Sequence, residues 1–168
     1  MTKKDESILF SKALSFASEK HAGQMRRNKA PYIYHPFRVA KRIADAGYGI
    51  RYQIAGLFHD LLEDTDATEN EIKKYGEDIL EAVKLVSKNY CDDKSTYLDH
   101  ILENHMATVV KNADRIDNLM DACTITDLKF QKRYLKESKE LYKDRFSKEL
   151  DNAIIALERK IKEIESNS

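Results

Sequence analysis

Apolar residues in this chain recur at spacings of three and four, the period of a helix face, which argues for helices rather than strands. Ile8, Leu9, Ala13, Phe16 and Ala17 mark a first amphipathic helix that stops near Gly23. A polar loop, Gln24 to Ala30, leads to Pro31-Tyr32-Ile33-Tyr34. Pro36, directly after His35, can open a helix because its missing N–H has no partner there anyway. Val39, Ala40, Ile43 and Ala44 give that helix its stripe, and Gly47 and Gly49 end it. Ile54, Leu57, Phe58, Leu61 and Leu62 predict a further helix, apolar enough to be central. Thr68 with Glu71 fits a capping box. Gly76 breaks the chain before Ile79, Val83 and Val86, and Asn89 to Ser95 reads as a polar turn. Thr96 to Asn104 predicts a short helix, and Ala107, Val109, Val110, Ala113, Ile116 and Leu119 a longer one. From about Gln131 to residue 165 the chain is charge-rich. Tyr142, Phe146, Leu150, Ile154, Leu157, Ile161 and Ile164 step along it by three or four. That stretch predicts a C-terminal amphipathic helix packed on the domain or against a partner subunit, so a homo-oligomer stays open.

With 168 residues, the chain suits one all-α domain with a proper core. Lys+Arg and Asp+Glu both number 29, a balance that lacks the basic excess of a general nucleic-acid binder but leaves room for a local basic pocket. No run approaches the roughly 20 apolar residues of a membrane span, and the polar start shows no signal peptide. Cys91 and Cys123, without an export signal, fit a cytoplasmic, disulfide-free protein.

Polar clusters that interrupt apolar helices carry the chemistry: His35, His59-Asp60, Glu63-Asp64, and Asp114-Arg115 with Asn118 one turn on. An ionised carboxylate in such surroundings is costly unless paired or metal-bound. At about 100° per residue, His59, Asp60, Glu63 and Asp64 fall near 0°, 100°, 40° and 140° and share one arc of a single helix. Lys111, Asp114, Asn118 and Asp121 share a face of another. Two imidazoles and two carboxylates leave positions for water on a six-coordinate ion and suit Mn²⁺, Fe²⁺ or Zn²⁺. Water on such an ion becomes a usable nucleophile near neutral pH, with Glu63 and Asp64 placed to orient it or shuttle its proton.

The arrangement His35, His59-Asp60 and Asp114 resembles the H…HD…D signature of the HD phosphohydrolases. Four segments extend the resemblance to the (p)ppGpp hydrolase domains, both the RelA/SpoT type and the small stand-alone alarmone hydrolases. They are His21-Ala22-Gly23-Gln24-Met25-Arg26, Pro31 to Pro36, Leu57 to Thr65, and Ala113-Asp114-Arg115 with Asn118, lying within about residues 8 to 120. The dipeptide His-Asp alone is a weak signal. Leu-Phe-His-Asp-Leu-Leu-Glu-Asp-Thr in order with the other segments is a specific one.

The resemblance implies a single HD-domain helical bundle over 1–168 whose His35, His59, Asp60 and Asp114 hold one Mn²⁺. It implies that Glu63 and Asp64 serve a metal-bound water that attacks the phosphorus beside the 3′ oxygen of a guanosine tetra- or pentaphosphate, releasing pyrophosphate. Arg26 matches the position that stacks on the base and Asn118 the position that meets the ribose, while Lys111 and Arg27 can meet phosphates. Tyr32 can line the pocket.

Two departures alter the nucleotide pocket rather than the metal site. Met120-Asp121 stands where those hydrolases usually carry Arg-Thr, and Asn28-Lys29 where the bifunctional enzymes usually carry Ser-Gly. Facing the substrate, Asp121 would repel a phosphate. These departures keep two further readings open: a hydrolase of another phosphorylated nucleotide, such as a nucleotidase or an NADPH phosphatase, and a catalytically idle nucleotide-binding regulatory module. In each, a small phosphorylated nucleotide is the partner, and nucleic acid and membrane are not.

Overall fold

The computed structural model describes residues 1–91 and 96–167; residues 92–95 of the turn expected over Asn89–Ser95 lie outside them. Among the described residues the chain is all-α, with ten α-helices, one short 3-10 helix and no strand beyond an isolated bridge between Met25 and Pro31. It divides into two compact units, residues 1–113 and 114–168.

The first unit opens with α1 (Lys3–Lys20), whose N-terminus is closed by a capping box between Thr2 and Asp5. Helix α2 (Tyr34–Asp45) buries His35, Pro36, Val39, Ala40 and Ile43, a stripe stepping by three and four. It begins two residues earlier than Pro36 suggests, which places His35 in the first turn, where proline's lost N–H costs nothing. Gly47, at φ +86°, takes the left-handed conformation just past the end of α2 and turns the chain back. Helix α3 (Ile50–Phe58) then packs on α2, α1 and α6 (Glu77–Val86) with Ile54 to Phe58 wholly buried.

Gly56 is what lets α2 and α3 approach. A Cβ there would stand 2.5 Å from Ile43 Cδ1 and 3.3 Å from Val39 Cγ1. The expected single helix through residue 64 is broken. It ends at Phe58, and a separate turn of helix, α4 (Leu61–Asp64), follows His59 and Asp60. Asp60, at φ −97° and ψ −5°, sits in the bridge region, so its side chain leaves the helical arc that continuous winding would impose. Helix α5 (Glu69–Lys73) carries the capping box foreseen at Thr68 and Glu71. After α6 come a 3-10 turn (Lys88–Tyr90) and α7 (Tyr97–Glu103).

Helix α8 (His105–Ala122) runs without a break from the first unit into the second. The second unit continues with α9 (Leu128–Leu141) and α10 (Lys148–Ser166), which pack together. The C-terminal stretch is therefore two helices, separated where Asp144 adopts φ +61° and Ser147 caps α10 by accepting from Leu150 N. Arg115 is buried in this unit between the rings of Tyr134 and Tyr142, 4.0 and 4.1 Å from their centroids, and donates to Glu137 and to Ser138 Oγ. No helix among the described residues is long and apolar enough to cross a membrane.

Candidate metal centre

The antiparallel pairing of α2 and α3 decides which side chains meet. Val39 and Ile43 lie against Gly56, so His35, one turn before Val39, comes opposite His59, three residues beyond Gly56. Their Nε2 atoms are 3.2 Å apart, and the two rings meet edge to face. The break after Phe58 swings Asp60 in beside them: its Oδ2 is 3.0 Å from His59 Nε2 and 3.6 Å from His35 Nε2. His35 and His59 are 1% and 3% exposed.

The donor set fits a divalent ion. Donors that each sit about 2.0–2.2 Å from a common ion are separated by about the distances seen here. The tautomer agrees too. His59 Nδ1 is 2.7 Å from Gly56 O, and a carbonyl only accepts, so Nδ1 carries the proton and Nε2 the lone pair that a metal requires. Two imidazoles with a carboxylate and no thiolate suit a transition-metal centre open to water rather than a closed structural zinc site.

Around this trio the first unit builds a bracket. Tyr32 Oη lies 2.7 Å from Asp60 Oδ2 and 2.9 Å from Asp64 Oδ2, so one phenolic O–H serves two carboxylates. Burial first, then those two carboxylates, hold its proton well above the usual phenol range, and it stays a donor. Arg26 places its guanidinium 5.5 Å from the Tyr32 ring centroid. His21 stacks on that ring, with centroids 4.7 Å apart. Burial pushes the His21 imidazole below its ordinary value and keeps it neutral. Its Nδ1–H donates to Gln24 Oε1, which directs the Gln24 amide N–H to Asp64 O, 2.7 Å away.

Glu63 accepts from Lys88 N at 3.0 Å, tying α4 to the start of the 3-10 turn. Arg27 and Asn28 are exposed on the loop, where Asn28 Oδ1 accepts from Ala30 N. Lys111 is buried on α8. It is 8% exposed, with its ammonium 5.7 Å from the Tyr97 ring centroid. In the second unit, Asp114 is buried and accepts from Asn118 Nδ2, while Asp121 is half-buried. Periodicity gave no sign of Gln24 or of the Arg115 clamp. The only signal for Gln24 was its place in the segment His21 to Arg26.

Residues 13–90 match the family model described as HD domain. Among curated proteins, the chain is 37% identical over 140 residues to a guanosine-3′,5′-bis(diphosphate) 3′-pyrophosphohydrolase of Aquifex aeolicus, covering 78% of this chain and 20% of that protein. It is 37% identical over 155 residues to one of Spiroplasma citri, covering 83% and 20%. The chain thus spans about a fifth of the length of these relatives. A solved structure described as a metazoan ortholog of SpoT that hydrolyzes ppGpp shares the fold, with TM-score 0.73 and 24% identity over 90% of this chain and 94% of that one.

Proposed function

We propose, from the premise that this chain carries an HD domain, that it is a divalent-metal phosphohydrolase removing the 3′-pyrophosphate of a guanosine tetra- or pentaphosphate. The observation that supports this most directly is the convergence of His35 Nε2, His59 Nε2 and Asp60 Oδ2 within 3.6 Å of one another. These three are ligands in this reading, and Asp114 is the fourth. Support for Asp114 is its burial, which a carboxylate keeps only where charge or donors meet it. The ion is Mn²⁺ in this reading.

When bound, the ion supplies Lewis-acid activation of water and offsets charge on the phosphoryl group. The chain's own groups do the rest. Asp64 is exposed and bonded through Oδ2 to Tyr32, so its second oxygen takes the proton of the attacking water. Glu63, anchored by Lys88 N, orients that water. A bond forms from the water oxygen to the phosphorus, the bond from phosphorus to the 3′ oxygen breaks, and the 3′ oxygen takes a proton. Arg26 stacks on the purine, and Asn118 meets the ribose. Lys111 and Arg27 meet phosphates, the desolvated Lys111 the more strongly. Asn28 and Asp121 line the substrate's surroundings. The partner is this small nucleotide, in the cytoplasm, with no nucleic acid or membrane; self-association is compatible with the reading.

Purified protein with Mn²⁺ and ppGpp yields GDP and pyrophosphate, and His59→Ala or Asp114→Ala abolishes turnover while helical circular dichroism persists. A folded, metal-loaded sample without turnover overturns the substrate, and full activity in either variant overturns the ligand set. Exposed Met120 and half-buried Asp121 favour a second reading, another phosphorylated nucleotide. A nucleotide panel read by phosphate release separates the two.

A further inference from the structure

The Tyr32 hydroxyl is committed to two carboxylates. Its one proton lies between Asp60 Oδ2 and Asp64 Oδ2, at 2.7 and 2.9 Å. Its backbone N–H donates to Gln24 O at 3.0 Å, and the Gln24 side chain grips Asp64 O at 2.7 Å. The amide cannot turn over, because Asp64 O only accepts and so requires the Gln24 Nε2–H, leaving Oε1 to accept from His21 Nδ1–H. His21 is 3% exposed, and its Nε2 is buried with no hydrogen-bond partner among the described residues, so its ring is retained at the cost of a desolvated nitrogen. Its broad contact is the face of Tyr32. The segment His21 to Gln24 thus closes a ring of contacts from imidazole to amide to Asp64 to phenol, ending on Asp60.

We propose that Tyr32, braced by His21 and Gln24, is a positioning residue that holds Asp60 toward the ion and keeps Asp64 beside it, rather than a substrate contact. Two carboxylates brought to one point repel, and a single shared donor offsets that repulsion while fixing one oxygen of each. Partners that orient a metal-bound carboxylate commonly change metal affinity about 10–100-fold when removed. This inference rests on the metal assignment above.

The test compares the full chain with Tyr32→Phe, which keeps the ring against His21 and removes one oxygen. Mn²⁺ binding is measured by titration calorimetry on metal-free protein, and kcat and KM are measured with ppGpp at saturating Mn²⁺. The expected result is about 10–100-fold weaker Mn²⁺ binding and a lowered kcat, with KM within about two-fold of wild type. Gln24→Met, which leaves the phenol in place and frees Asp64 O, lowers kcat with a smaller effect on Mn²⁺ affinity. Unchanged Mn²⁺ affinity in a helical Tyr32→Phe protein, with a raised KM, makes Tyr32 a substrate contact and overturns the inference. Should Tyr32→Phe lose its helical signal, full kcat and affinity in Gln24→Met overturn it instead. Wild-type protein that binds no Mn²⁺ removes the metal assignment itself, a result distinct from either.

Discussion

Gly56 on α3 and Ile43 on α2 are in such close register that a single added Cβ would lie 2.5 Å from Ile43 Cδ1. Val39, one turn before Ile43, also lies against Gly56, and a further turn along α2 sets His35 against His59.

Gly56→Ala therefore acts on both stability and site. Alanine favours the helix by roughly 0.5–1 kcal/mol, but overpacking a buried contact costs about 1–3 kcal/mol, so the net is destabilising. Urea unfolding shows a lower midpoint with little change in slope, and Mn²⁺ affinity falls as the helices part. Equal stability in the variant would mean that α2 and α3 adjust without cost.

Lys29 occupies φ +63° in the tight loop where Lys29 N donates to Arg26 O and Arg26 N to Ala30 O. A side chain in that region costs about 1–2 kcal/mol, partly offset in glycine by the entropy of its unfolded chain. Lys29→Gly is expected to stabilise the protein by about 0.5–1 kcal/mol in thermal or urea unfolding. The glycine of the related Ser-Gly loops is the residue this geometry prefers. A loss of stability would place the ammonium of Lys29 in a contact worth more than the backbone strain.

Arg115 lies between two tyrosine rings with its N–H groups on Glu137 and Ser138, a planar arrangement that an ammonium cannot reproduce. Arg115→Lys is expected to cost about 2–3 kcal/mol, from stacking together with the buried hydroxyl of Ser138 left without its donor. Chemical unfolding followed by circular dichroism reads it. A change below about 0.5 kcal/mol would show that Tyr134 and Tyr142 close over the smaller cation.

Local sequence determined the helices and most of their boundaries, because apolar period, capping box and glycine act within a few residues. Thr68 with Glu71, and Gly47 after α2, are as the residues dictate. The residue types of the candidate metal trio were legible in the same way, from polar groups set into apolar helices.

Where local reasoning ran out, contacts between distant residues had decided. Continuous winding through His59 and Asp60 was the natural expectation, yet Asp60 leaves the helix to meet a tyrosine 28 positions away. Nothing in the spacing around Lys111 indicates that its ammonium lies beside the ring of Tyr97, fourteen positions earlier. The last helical stretch splits at Asp144 and Ser147, although its apolar steps continue across the break. Sequence alone determined which chemistry this protein can hold. Tertiary packing decided how its atoms are aimed, because a hydrogen bond depends on tenths of an ångström that no spacing along the chain encodes.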